Sequence, residues 1–174
     1  MSRKKPTVRA IGCFAFITQI TAERGFEILF VLQKEPRGNR YALPGGGPKR
    51  NESFYQAVHR EVLEETQLTI TTPKKPIAHL KRIDRFAKMV IFEATDFDGE
   101  ARSFEGCKEI IHCKWMTIGE IVKKRKLFKS HHFFSVFEIL GARLSEQAPR
   151  INGTVKKKPA KKKRQRVLKA LDQK

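Results

Sequence analysis

Leu43-Pro44-Gly45-Gly46-Gly47 runs into a segment with helical spacing from Glu52 to Thr66, and this junction constrains the chain more than any other stretch. Pro44 stops a strand, and the glycines allow a backbone path and a close approach that other residues avoid. Asn51 suits a helix N-cap. On the helix, Glu61, Glu64 and Glu65 stand at i, i+3 and i+4, so their carboxylates are neighbours and repel one another. With Phe54 set at zero, Glu61 and Glu65 each fall about 20° away and Val58 about 40° away. The acids therefore flank the apolar stripe, whereas a solvated acidic face would lie opposite it. Arg60 can pair with Glu64 at i+4, which leaves Glu61 and Glu65 uncompensated. The contrast with the rest of the chain is large, because 37 Lys/Arg against 18 Asp/Glu give a formal net charge of +19. A divalent cation would supply the compensation. Mg²⁺ takes hard oxygen ligands from few carboxylates and shares them with phosphate, and a helix N-terminus after a glycine loop favours anions. Together they read as a Mg²⁺–phosphate site.

The elements around this junction suit a mixed α/β sandwich better than a doubly wound parallel sheet. Residues 8–18 are almost continuously apolar, as in a strand buried on both faces. Residues 26–34 alternate with period two, with Phe26, Ile28, Phe30 and Leu32 on one side. Residues 39–44 form a short strand. Strands are expected at 77–83, 87–94 and 109–117, with a loop between the last two and a short helix at 118–124. From His131 to Leu144, Phe133, Val136, Phe137, Leu140 and Leu144 recur at helical steps, as on an amphipathic helix packed against the core.

The 174 residues suit one domain with a tail, expected as a basic arm at 1–6, a domain at 7–147 and a basic tail at 148–174. Residues 150–174 hold eleven Lys/Arg and one acid, Asp172. This composition buries too little surface to offset ordering entropy, so the tail is expected to be disordered. It suits contact with nucleic acid or another polyanion, or a nuclear address in a eukaryote. Cys13, Cys107 and Cys113 are an odd set without paired zinc-type spacing, and read as reduced thiols. No apolar run is long enough to span a membrane. AIGCFAFITQI reads as a buried strand and not as a signal peptide, so a cytoplasmic location without membrane contact is expected.

Gly46 to Leu68, GGPKRNESFYQAVHREVLEETQL, resembles the signature of the Nudix hydrolases (the MutT-like family). Gly46, Glu52, Arg60, Glu61, Val62, Glu64, Glu65 and Leu68 all match in register. Gln67 stands where the family usually has its last glycine, and an altered helix end is expected there. The strand order around this box and Trp115 extend the resemblance over roughly residues 7–145.

The resemblance implies a Nudix α/β/α sandwich with a mixed β-sheet. It implies cleavage, by water at phosphorus, of a nucleoside diphosphate linked to another moiety. Mg²⁺ ions, or Mn²⁺, would polarise the diphosphate and activate the water. By carry-over, Glu61 and Glu65 are metal ligands, Glu64 shares that role, and Glu52 is a further ligand or its support. Arg60 would orient the carboxylates. The backbone at Gly45, Gly46 and Gly47 would shape the diphosphate site. The general base is either Glu64, within the box, or an outside carboxylate, with Glu109 ahead of Glu105. Arg37, Arg40, Lys49 and Arg50 lie near the glycine loop in sequence and can bind further phosphates. Tyr41, Phe86 and Phe104 are candidates to stack on a base. The substrate stays open between a nucleoside triphosphate or other nucleotide derivative and an inositol diphosphate or dinucleoside polyphosphate. An RNA 5′-end pyrophosphohydrolase, or a binding module, would also use the tail.

Overall fold

The computed structural model describes residues 10–72, 75–81, 87–94, 96–103 and 108–147. The 1–6 arm, the tail from 148, and Phe86, Phe104, Glu105 and Cys107 lie outside the described residues. The chain divides into two compact units, Met1–Ala142 and Arg143–Lys174; of the second, the described part is the end of a helix, residues 143–147.

Among the described residues, nine strands and three helices follow in the order β1 (Ala10–Thr21), β2 (Gly25–Gln33), β3 (Arg40–Ala42), β4 (Gly45–Gly46), α1 (Phe54–Thr66), β5 (Thr69–Thr71), β6 (Ala78–Lys81), β7 (Ala87–Ala94), β8 (Asp96–Asp98), β9 (Ile110–Thr117), α2 (Ile118–Lys123) and α3 (Ser130–Gln147). A 3-10 turn at Arg125–Leu127 joins α2 to α3. The long apolar first strand is the hub of a seven-stranded mixed sheet. From Ala10↔Ala87 to Ile17↔Ala94 it runs parallel to β7, and from Thr18↔Ile28 to Thr21↔Gly25 it pairs antiparallel with β2. β2 also pairs with β3 and β9.

Alternation along these strands splits the core into two layers, because successive side chains point to opposite faces. Cys13, Ala15 and Ile17, with Val90 and Phe92, pack against Ala57, Val58 and Val62 of α1. Phe16, Phe30 and Ile91 pack on the other face with Ile121 of α2 and Phe133, Val136 and Ile139 of α3. Both faces are thus covered by helices, which is the expected α/β/α arrangement and explains why β1 reads as apolar throughout. Leu144, expected on the buried side of the last helix, is exposed.

Four local expectations change. The helix N-cap is Ser53, not Asn51: Ser53 Oγ accepts from Gln56 N at 3.2 Å, and Gln56 Oε1 accepts from Ser53 N at 3.0 Å. Asn51 instead takes a left-handed φ of 66°, which leaves Glu52 outside the helix. At the other end Gln67 adopts φ 61°, the conformation a glycine would supply, and its backbone N–H donates to Leu63 O at 3.1 Å. Its side-chain amide also donates to Leu63 O, so the helix end is retained rather than altered. Finally, the expected loop after β7 contains β8, which forms a two-stranded ribbon with β5.

Candidate active site

The glycine loop is held between β1 and α1. Gly45 pairs with Phe14 and Gly46 with Cys13, and Ala15 N donates to Pro44 O at 2.9 Å. A Cβ on Gly45, whose φ is +138°, would meet Cys13 O at 2.2 Å. A Cβ on Gly46 would lie 2.7 Å from the Glu61 carboxyl carbon. The missing side chains therefore let the strand backbone touch β1 on one side and the helix carboxylates on the other.

The carboxylates are organised by one cation. Arg60 Nε donates to Glu52 Oε1 at 2.8 Å and its Nη2 to Glu52 Oε2 at 2.9 Å, a bidentate pair. Arg60 Nη1 reaches Glu61 Oε1 at 2.8 Å and Glu64 Oε2 at 3.0 Å, and Nη2 also donates to Gly47 O at 3.2 Å. Helical spacing offers Arg60 the Glu64 partner; it binds that acid and two more, an arrangement suited to the carboxylate-orienting role expected of it. Its hydrogen bonds, joined by the Lys49 backbone N–H, hold Glu52 down at about 2. Lys49 Nζ lies 3.4 Å from Glu64 Oε1.

Replacing Arg60 with Gln is expected to destabilise the fold by about 2 kcal/mol. That is less than a fully buried pair would lose, because Glu64 is 52% exposed and screened by solvent. Urea unfolding measures this, and Mg²⁺ should recover part of the loss. A change under about 0.5 kcal/mol would contradict the Arg60-centred cluster.

Glu65 stands apart. Its position faces into the packed side of α1, where it is 8% exposed. Phe54, taken as the centre of the apolar stripe, is exposed at the edge, and the buried stripe runs through Ala57, Val58, Val62 and Glu65 instead. Glu65 Oε2 accepts from Gly45 N at 2.8 Å and Oε1 from Gln33 Nε2 at 3.3 Å. Burial pushes its carboxyl up to about 8; the Gly45 amide works against this, and the charge of Glu61 adds to it.

A carboxyl raised in the folded state contributes stability below its unfolded value and loses it as pH rises through the folded value. His59 and His112 are lowered by burial and act in the opposite sense. The difference between wild type and Glu65→Gln isolates Glu65. In metal-free buffer the Tm advantage of the variant is expected to widen as pH rises from about 4.5 to about 8. A gap that narrows over that range would contradict the burial account.

Beside Gly45 and Gly46 opens a cleft of about 740 Å³. Arg40 lines it, as do Gln33, Lys126, Lys129, His131 and the buried His132. The last five were not singled out from sequence; only folding brings the segment after α2 to this place. Arg37 and Arg50 are exposed, and among the described residues no ion pair joins either to the acid cluster. Glu109 is exposed, and its backbone carbonyl accepts from Lys34 N at 2.8 Å. Among the described residues, no hydrogen bond or ion pair joins the Glu109 side chain to the Arg60 cluster. Tyr41 is 5% exposed and packs on Phe128, so it belongs to the core and offers no open stacking face.

Among the described residues no three acid, histidine or cysteine groups are already arranged around a metal position. The donor set nonetheless fits a hard divalent cation. Arg60 gathers Glu52, Glu61 and Glu64, all hard oxygen donors. Glu65 lies buried next to Glu61, where burial and the Glu61 charge outweigh the Gly45 and Gln33 hydrogen bonds and the charge of Lys129, so a cation would favour its ionised form. No helix among the described residues is long and apolar enough to cross a membrane.

A family model described as the NUDIX domain matches residues 8–136. No curated protein matches the sequence. Among solved structures, a NUDIX hydrolase from Nitrosomonas europaea is 26% identical, with 77% of this chain and 89% of that one covered and a TM-score of 0.55. The MutT protein from Methanosarcina mazei Go1 is 20% identical, covering 81% and 99%, with a TM-score of 0.61. The NUDIX domain of Shewanella oneidensis NrtR, solved with ADP ribose, is 16% identical, covering 81% and 94%, with a TM-score of 0.59. The last two likenesses concern the fold alone.

Proposed function

Because this chain belongs to the NUDIX family, as a hydrolase of pyrophosphate bonds, we propose that it is a Mg²⁺-dependent pyrophosphohydrolase of nucleoside diphosphate derivatives. The observation that carries this reading is the buried Glu65 carboxyl beside Glu61, held against the glycine loop by the Gly45 N–H at 2.8 Å. Glu61, Glu64 and Glu65 would hold the metal, with Glu52 at its border. When bound, a divalent cation polarises phosphoryl oxygens and lowers the pKa of water.

The chain's own residues supply the rest. Gly45 and Gly46, without side chains, let the loop backbone lie against β1 and the Glu61 carboxylate, which brings the loop and the acids together at the edge of the cleft. Arg60 fixes Glu52 through two hydrogen bonds and thereby anchors the loop end of the cluster. Glu64 is the most solvent-accessible of the four acids that Arg60 and the loop assemble, so it is the one able to accept a proton from attacking water at a carboxylate oxygen. Glu109, exposed and apart from the cluster, would serve only if substrate binding brought it in. Water attack at phosphorus, with proton transfer to Glu64 and departure of a phosphate-bearing group, completes the step.

The test is a panel of nucleoside triphosphates, nucleoside diphosphate sugars, ADP-ribose, dinucleoside polyphosphates and an inositol diphosphate, with Mg²⁺ or with EDTA, read by product identity. Metal-dependent cleavage of an anhydride bond in at least one member is expected. Equal turnover in EDTA would overturn the proposal.

The eleven Lys/Arg of residues 150–174 support a second, added role in holding a polyanion such as RNA. Removing these residues is expected to spare turnover of small nucleotides while weakening RNA binding and flattening its salt dependence. Unchanged RNA affinity across a salt series would remove the tail from this role.

A further inference from the structure

We propose that the cleft beside the glycine loop selects substrates that carry phosphate charge beyond the diphosphate being cleaved, an inference that rests on the hydrolase reading above. Two distant segments build it. Tyr41 of β3 forms a backbone bridge with Phe128, and Lys129 N donates to Tyr41 O at 3.0 Å. That tie sets Arg40, at the start of β3, in the same cleft wall as Lys126 and Lys129, next to Gly45 and Gly46.

The charges do not balance. Lys129 pairs with Glu35 at 2.8 Å and donates to Gln33 Oε1. Among the described residues no carboxylate lies within ion-pair distance of Arg40 or Lys126. Three cations and one acid thus face a single cleft of about 740 Å³, room enough for a nucleotide-sized ligand. The aromatic rings of this region are largely committed elsewhere. Phe128 is 5% exposed and packs edge-on against Phe30 and Phe133, and Phe14 stands edge-on to His132. A neutral base or sugar would therefore find little open ring surface and would leave two cations uncompensated. A further phosphate would satisfy both, with charge-assisted hydrogen bonds to a guanidinium and an ammonium.

The extra charge can come from a longer polyphosphate chain or from a separate phosphomonoester, and two matched pairs distinguish these sources. Adenosine 5′-tetraphosphate against ATP tests the chain; ADP-ribose 2′-phosphate against ADP-ribose tests the monoester. In the full-length protein, the more phosphorylated member of at least one pair is expected to have the higher kcat/KM. In Arg40→Gln/Lys126→Gln that ratio should fall about tenfold, through KM, and Arg40→Lys/Lys126→Arg should keep it. A wild-type ratio at or below one in both pairs, or a ratio unmoved by the Gln variant, overturns the inference.

If none of the four is turned over, calorimetric titration with inorganic tripolyphosphate in EDTA decides the cleft alone, while the hydrolase reading stands or falls on the wider panel above. Both proteins carry the same tail, so a difference reports the cleft. About tenfold weaker binding by the Gln variant supports the inference, and equal binding overturns it.

Discussion

Glu65→Gln is expected to lower turnover by roughly 10³-fold while leaving the protein folded, and at pH 8 more stable than wild type. The substitution keeps the shape and an acceptor for the Gly45 N–H, which reaches Glu65 Oε2 at 2.8 Å. It removes the ability to carry charge where burial has already pushed the acid up to about 8, so the metal-free fold gives up nothing. Under the proposed metal-dependent reading, it removes one of the oxygens that would hold a cation next to the diphosphate. Charge stabilisation of several kcal/mol in the transition state converts to roughly that rate factor. Steady-state kinetics with thermal melts at pH 5 and 8 separate the two effects. A variant that loses activity and also melts lower would show that Glu65 is primarily a structural acceptor for the glycine loop.

Gly45→Ala is expected to have the largest effect on the fold, destabilising it by about 4 kcal/mol and lowering Tm by roughly 10 °C. The new Cβ would lie 2.2 Å from Cys13 O and 2.7 Å from Phe14 Cα, both backbone atoms at the centre of β1. No side chain can swing away to relieve this, and a φ of +138° disfavours alanine independently. β4 must leave β1, taking with it the Gly45 N–H that holds Glu65. Gly46→Ala meets a side chain instead, the Glu61 carboxylate, which can move. It is expected to stay folded while losing the placement of Glu61. Gly47→Ala, with nothing within 4 Å of its Cβ, serves as the stability control and should change unfolding free energy by less than about 0.5 kcal/mol. Equal destabilisation at positions 45 and 47 would contradict the packing described for the loop.

The acid cluster was legible because spacing on a helix converts directly into angular position, and four glutamates with an arginine leave few other arrangements. The same arithmetic misplaced the centre of the buried stripe. Phe54, in the first turn, lies at its exposed edge, so Glu65 is more deeply buried than its flanking position suggested. The capping box at Ser53 and Gln56 is visible in the sequence as S-x-x-Q, but Asn51 offers an equally good cap two residues earlier, and the chain uses Asn51 for a left-handed turn instead. β5 and β8, three residues each, are too short for periodicity to register. The cleft was the least legible part. Arg40 and Lys126 meet only because Tyr41 and Phe128 pair across 87 residues of sequence, and no local pattern encodes that contact. Gln33 belongs to the same class: a register shift between Leu32 and Gln33, where β2 pairs with β9, precedes the amide that donates to Glu65.

The most direct test of the central claim is hydrolysis in ¹⁸O-labelled water of whichever nucleotide the protein turns over, comparing wild type with Glu64→Gln/Glu65→Gln, each with Mg²⁺ and with EDTA. The expected result is one labelled oxygen in a phosphate-bearing product of the wild type with Mg²⁺, and no product above background in the other three samples. Labelled product from the double variant at the wild-type rate, or from wild type in EDTA, would contradict a hydrolase built on these carboxylates.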